Sequence, residues 1–141
     1  NKMKQTILFL FVMVLAFSAC HDVKIGYLKA DNAEYYPDSL VVETDLSKVS
    51  QNKVDNDAPW VTNTISGMLG TEPLSYEFVS VRAIDGGDAD IFAKEIVVRG
   101  SGRMQFPLRT EAPKGRYIVT LKVSNEDYSA ILPDVFTFIL K

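Results

Sequence analysis

The stretch over residues 113–125, PKGRYIVTLKVSN, restricts the fold of this chain more than any other. Pro113 presets a turn and Gly115 relaxes it. From there Tyr117, Val119, Leu121 and Val123 alternate with Ile118, Thr120, Lys122 and Ser124, the period of two that sends successive side chains to opposite faces of a strand. A helix would need its apolar residues three and four apart, and that spacing is missing. The segment therefore has to join a sheet with one face covered.

The same signal recurs at short intervals. Val23, Ile25 and Tyr27 alternate as a first strand, residues 40–44 form a β-branched run, and residues 60–65 make a third strand ending at Gly67. Residues 74–83 make a fourth, in which the inward set switches from Tyr76 and Phe78 to Val79 and Val81; such a change of parity predicts a bulge. Residues 96–98 and 104–108 flank Gly100-Ser101-Gly102 as a hairpin. The last run, 135–140, is apolar on both faces, as in a strand inside a sheet. Asp45 can cap one or two helical turns over 45–54, and no amphipathic helix is expected beyond the N-terminal leader. About seven short strands separated by Gly, Pro, Asn and Asp predict an all-β chain, a single β-sandwich over 23–141. With one cysteine in 141 residues, packing rather than a disulfide must hold it.

The N-terminus carries a different pattern. Asn1 and Lys2 precede Met3 and are read as upstream read-through; then come Lys4, an apolar run over 7–17, and the small residues Ser18 and Ala19 before Cys20. That order predicts a secretory signal helix over 1–19, too short for a spanning helix of about 20 residues. Phe17-Ser18-Ala19-Cys20 resembles the lipobox of bacterial lipoproteins, departing at Phe17, where leucine is usual; the looser form fits Bacteroidota lipoproteins. The resemblance implies that the Cys20 sulfur receives a diacylglycerol and that Cys20 becomes the first residue, with 20–22 as a short tether. The other reading is ordinary cleavage after Ser18, leaving a soluble protein with a free thiol. A lipid-bearing sulfur would hold the domain close to the bilayer, a geometry suited to docking on a membrane-embedded partner.

The single histidine, His21, sits beside that cysteine. A Ser-His-Asp or Cys-His arrangement thus lacks a usable base, and a zinc site lacks ligands. No phosphate-cradling glycine loop opens a helix, and paired carboxylates for glycoside cleavage need a deep cleft that one small sandwich seldom forms. The expectation is a protein that is not an enzyme. Basic residues number 15 against 18 acidic ones, scattered singly, and removal of the leader takes Lys2 and Lys4 but no acid. Nucleic acid, which needs a clustered basic face, is not an expected partner.

The run Gly115-x-Tyr117 followed by Val119, Leu121, Val123 and Asn125 resembles the penultimate strand of immunoglobulin-like and cadherin-like domains, where a tyrosine ties down the adjoining corner. GTEPLSYEF, GSGRMQF and PKGRYIVTLKVSN, in that order, are similar to cadherin-like modules of Bacteroidota lipoproteins over Gly70 to Lys141. The resemblance implies an outer-membrane accessory or binding module beside a glycan-import system of the starch-utilisation type, with a transporter, a surface-binding protein or a glycan as partner. Either face of the outer membrane fits. The alternative is a structural subunit or adhesin that assembles through edge strands.

Rings that could stack on a sugar are Trp60, Tyr35, Tyr36 and Tyr128; for Trp60 the competing expectation is core packing. Two acidic segments, Asp55-Asn56-Asp57-Ala58-Pro59 and Asp85-Gly86-Gly87-Asp88-Ala89-Asp90, suggest structural calcium through Asp55, Asp57, Asp85, Asp88 and Asp90. The first looks like the DxNDNAP linker of calcium-binding cadherins, short of one acidic position. Both compositions also suit ordinary turns, and no other cofactor is expected.

Overall fold

A computed structural model describes residues 2–18 and 23–141, with side chains over 2–12 and 23–141. Cys20, His21 and the expected tether 20–22 lie outside the described residues. The N-terminal segment forms α1 (Lys2–Ser18), 17 residues long, and its apolar side chains from Ile7 to Val12 are exposed. Among the described residues no helix is long and apolar enough to cross a membrane.

Beyond α1 the chain is predominantly β. Its strands are β1 (Leu28–Lys29), β2 (Ser39–Val42), β3 (Trp60–Val61), β4 (Leu69–Gly70), β5 (Ser75–Ile84), β6 (Val97–Arg99), β7 (Arg103–Phe106), β8 (Gly115–Ser124) and β9 (Ser129–Leu140). They form three ladders, in the orders β2-β9-β8-β5, β3-β7-β6 and β1-β4. All pairs are antiparallel except β2 with β9, which run parallel from Ser39↔Thr137 to Val42↔Leu140.

The alternation on β8 does what its period demands: Tyr117, Val119, Leu121 and Val123 are buried, and the residues between them are half-covered. Phe136, Phe138 and Leu140 of β9 share that core with Met104 and Phe106 of β7. Phe106 and Phe138 stand 5.8 Å apart between ring centroids, so the inner faces of the two larger ladders meet there. As expected, β9 is an interior strand of its ladder, but it starts earlier than the apolar run suggested. Its pairing with β8 slips between Val119↔Phe136 and Leu121↔Leu132. The slip accommodates Pro133, which has no N–H for the ladder, and Asp134 N–H turns instead to Thr120 Oγ1 at 3.1 Å.

The bulge expected in the fourth strand lies between Phe78 and Ser80 of β5. Tyr76 and Phe78 face inward before it, and Val81 and Ala83 after it. Val79, expected among the inward set, is instead the extra residue and is exposed. The hairpin at Gly100-Ser101-Gly102 joins β6 to β7 as expected. Gly102 has φ +83, and a Cβ there would come within 2.9 Å of the Tyr35 hydroxyl, so the turn needs glycine on both counts.

Three expectations are corrected. Residues 23–27 form no strand: β4 pairs with Leu28 and Lys29, and the segment before them bends at Gly26, φ +87. The strand expected over 60–65 stops at Val61. There the Thr62 hydroxyl oxygen accepts Met104 N–H at 3.0 Å while its own proton goes to Asn63 O at 2.8 Å, so a side chain replaces the regular ladder acceptor. Finally, a helix beyond the leader exists: α3 (Ala89–Glu95), whose N-cap Asp88 accepts from Asp90 N–H and Ile91 N–H at 3.0 and 3.3 Å. It drives Phe92 between the rings of Tyr117 and Phe106, with centroids 4.6 and 4.8 Å away.

The polar stretch near residue 50 folds as expected into a 3-10 turn over Leu46–Lys48 and the short α2 (Gln51–Asp55). Asp45 caps the turn, accepting from Ser47 N–H and Ser47 Oγ–H at 3.1 and 2.7 Å. These bonds favour the ionised carboxyl and hold its pKa below the usual aspartate value.

Candidate functional site

The loop between β8 and β9 gathers several polar groups beside an open cleft. Asn125 Oδ1 accepts from Asp127 N–H at 3.2 Å and Tyr128 N–H at 2.9 Å, an Asx turn that sets the loop's shape. From this turn two groups reach across to the segment that follows the leader. Asn125 Nδ2 donates to Tyr27 O at 2.9 Å, and Asp127 Oδ2 accepts Ile25 N–H at 2.8 Å. The Lys24 ammonium lies 5.2 Å from the centroid of the Tyr128 ring, close enough for a cation–π attraction. Segment and loop together border an open cleft of about 360 Å³, lined by Lys24, Ser124, Glu126, Tyr128 and Ser129 besides the two clamp residues.

This cleft offers a half-buried ring, an ammonium, the exposed carboxylate of Glu126 and two hydroxyls. Such a set can hydrogen-bond a polyhydroxylated ligand from several sides while a ring covers an apolar face. Of the four rings expected from sequence, only Tyr128 lies here. Tyr35 is corrected: it is 2 % exposed, packs edge-on to Phe136 at 5.2 Å and donates its hydroxyl proton to Gly102 O. Burial pushes its phenol pKa well above the ordinary value. Its neighbour Tyr36 is 85 % exposed, so one ring of the pair does point outward.

Trp60 is half-buried on β3 and packs against the core, in line with its competing expectation. The Lys53 ammonium sits 4.1 Å over the ring and donates to Pro59 O at 3.2 Å, which covers the face a sugar would need. Its Nε1 is buried and has no hydrogen-bond partner. Trp60, Tyr36 and Tyr128 belong to different elements.

The carboxylates expected to bind calcium are also placed separately, and each except Asp90 has another contact. Asp55 accepts from Gln51 Nε2 at 2.7 Å, Asp57 pairs with Arg109 at 3.3 Å and Asp85 pairs with Arg116 at 3.5 Å. Asp88 is the α3 cap, and Asp90 lies in the first turn of that helix, where its charge suits the N-terminal dipole. Among the described residues no three His, Cys, Asp or Glu side chains are grouped to hold a metal.

Lys24, Asn125 and Asp127 are site residues that the sequence does not single out. The turn signal Asn-Glu-Asp is visible, but its partners are 98 and 102 positions away, a distance no local pattern encodes. Asn125→Ala removes the Asx turn and one clamp bond together. It is expected to cost about 1–3 kcal/mol and to speed amide hydrogen exchange at Ile25 relative to β8; unchanged exchange there would show that the clamp does not hold the segment. Comparison with protein-family models, with curated proteins and with solved structures returns no match.

Proposed function

We propose that this chain is a non-enzymatic lipoprotein: an immunoglobulin-like or cadherin-like β-sandwich held at the outer membrane by acyl chains on Cys20. It acts there as an accessory binding module of a glycan-import complex. The observation that carries the reading is the clamp between residues 24–27 and the β8–β9 loop, which leaves a polar cleft a few residues from the proposed anchor. A module tied down this closely meets partners that are themselves in the membrane rather than reaching out for free glycan.

Strand order supports the immunoglobulin-like part. Lettering β3, β5, β6, β7, β8 and β9 as B, C, D, E, F and G makes the two larger ladders B-E-D and G-F-C, the division found in that sandwich. At the start of β8, the strand lettered F, the Tyr117 hydroxyl donates to Pro113 O at 2.6 Å, four residues upstream, and accepts Asp88 N–H at 3.0 Å. A tyrosine corner would make a bond of this kind at this place, which supports the immunoglobulin-like reading. The lipid part rests on Phe17-Ser18-Ala19-Cys20.

Assembly through edge strands ranks second. The longest terminal strand, β5, carries Glu77, Arg82 and the Val79 bulge, and charge and bulges both discourage strand addition. Cross-linking in intact cells followed by purification of the detergent-extracted protein separates the readings. Recovery of an outer-membrane transporter or its surface-binding component is the expected result. Recovery of this chain alone as a cross-linked oligomer would favour edge-strand assembly, and recovery of a monomer alone would sink both.

A further inference from the structure

The segment after the leader exposes apolar side chains that a sheet-forming chain ordinarily covers. Val23 is 77 % exposed, Ile25 75 %, Tyr27 52 % and Leu69 53 %. Leu69 pairs with Lys29 across β1 and β4, and Thr71 N–H donates to Tyr27 O at 3.0 Å. By the two-residue period of an extended chain, Tyr27, Lys29 and Leu69 therefore share one face, opposite Leu28. Lys29 stands on that face across from Leu69, while Lys24, over the Tyr128 ring, turns to the β8–β9 loop. Aliphatic side chains accompanied by a tyrosine and a lysine are the chemistry of a membrane–water interface, where rings and long basic stems bridge the hydrocarbon and the headgroups.

We propose that this face lies against the same bilayer that holds the acyl chains of Cys20, so that the domain is docked on the lipid surface in one orientation. The inference rests on the lipid attachment proposed above. Two residues, His21 and Asp22, lie between Cys20 and Val23, and an extended chain spans at most ~3.6 Å per residue, so the exposed apolar segment begins within roughly 11 Å of the anchored sulfur. The clamp removes the remaining slack. Ile25 N–H is held by Asp127 and Tyr27 O by Asn125, so peeling the segment off the body to lengthen the tether must break both bonds. Four apolar side chains bind a membrane weakly by themselves, but a lipid anchor at this distance makes the contact intramolecular and keeps it occupied.

The test uses the full lipidated chain in phosphatidylethanolamine–phosphatidylglycerol vesicles with and without brominated acyl chains. Tyr27→Trp in a Trp60→Phe background gives one tryptophan at the face. Its emission is expected to shift to shorter wavelength on reconstitution and to fall about twofold in brominated vesicles, as for a side chain at the acyl boundary. Adding Ile25→Ser and Leu69→Ser, at exposed positions and with no new charge beside Asp127, should abolish the quenching while leaving the melting temperature unchanged. Intact mass of the same preparation reports the lipid. Unquenched emission from the Tyr27→Trp protein at its lipidated mass overturns the docking and leaves the anchor standing; an unmodified Cys20 overturns both.

Discussion

Phe92→Ala is expected to lower the unfolding free energy by about 3–5 kcal/mol, the cost of removing a fully enclosed phenylalanine. Phe92 is 0 % exposed and stacks nearly parallel on Tyr117, with an interplanar angle of 10°, and on Phe106, with 23°. It also tilts against Phe138 at 5.3 Å. One side chain thus joins rings from β7, β8 and β9. The helix that carries it is seven residues long, below the length at which a helix holds itself together in water, so α3 depends on this insertion as much as the core does. With domains of this kind stable by about 5–15 kcal/mol, the variant should lose a large share of its stability. Urea denaturation monitored by Trp60 fluorescence and circular dichroism measures it. A loss below about 1 kcal/mol would show that the ring is not wedged as described.

Cys20→Ser is expected to move the protein from the membrane pellet to the soluble fraction almost completely. Each buried methylene contributes ~0.8 kcal/mol, and two or more acyl chains make anchoring effectively stable where one chain is only marginal. Serine offers no sulfur for the thioether, and the Val23–Leu69 face alone is too small to compensate. Wild type should resist extraction by high salt, yield to detergent and carry the added mass of the lipid at its first residue. The variant should melt at the same temperature, because the described residues of the core all lie between Leu28 and Leu140. Equal fractionation of the two proteins would be fatal to the lipoprotein reading.

Much of the β architecture is legible because its signals are local. Tyr117 to Ser124 alternate without interruption, Gly100-Ser101-Gly102 marks a hairpin, and Asp45 caps its turn. The parity switch within residues 74–83 announces a bulge, although Val79, read as inward, is the residue the bulge ejects. In Ala89–Glu95 the helical signal is too short: one aspartate cap and a single apolar turn look the same as an acidic loop. The candidate site is less legible still. Tyr128 is among the expected rings, but Tyr35 and Tyr36, adjacent and chemically identical, end at 2 % and 85 % exposure.

What the chain encodes by itself is the strand content, the turns and the cysteine motif, because each depends on side-chain direction or residue identity within a few positions. What only the tertiary structure decided is which ring is enclosed, where Phe92 goes, how the acidic side chains are spent and which loop grips the segment after the leader. Those outcomes depend on partners such as Gly102 for Tyr35 and Asp127 for Ile25, separated by 67 and 102 positions. A periodic pattern states that a face must be covered, but the covering group is selected by the packing of the whole chain.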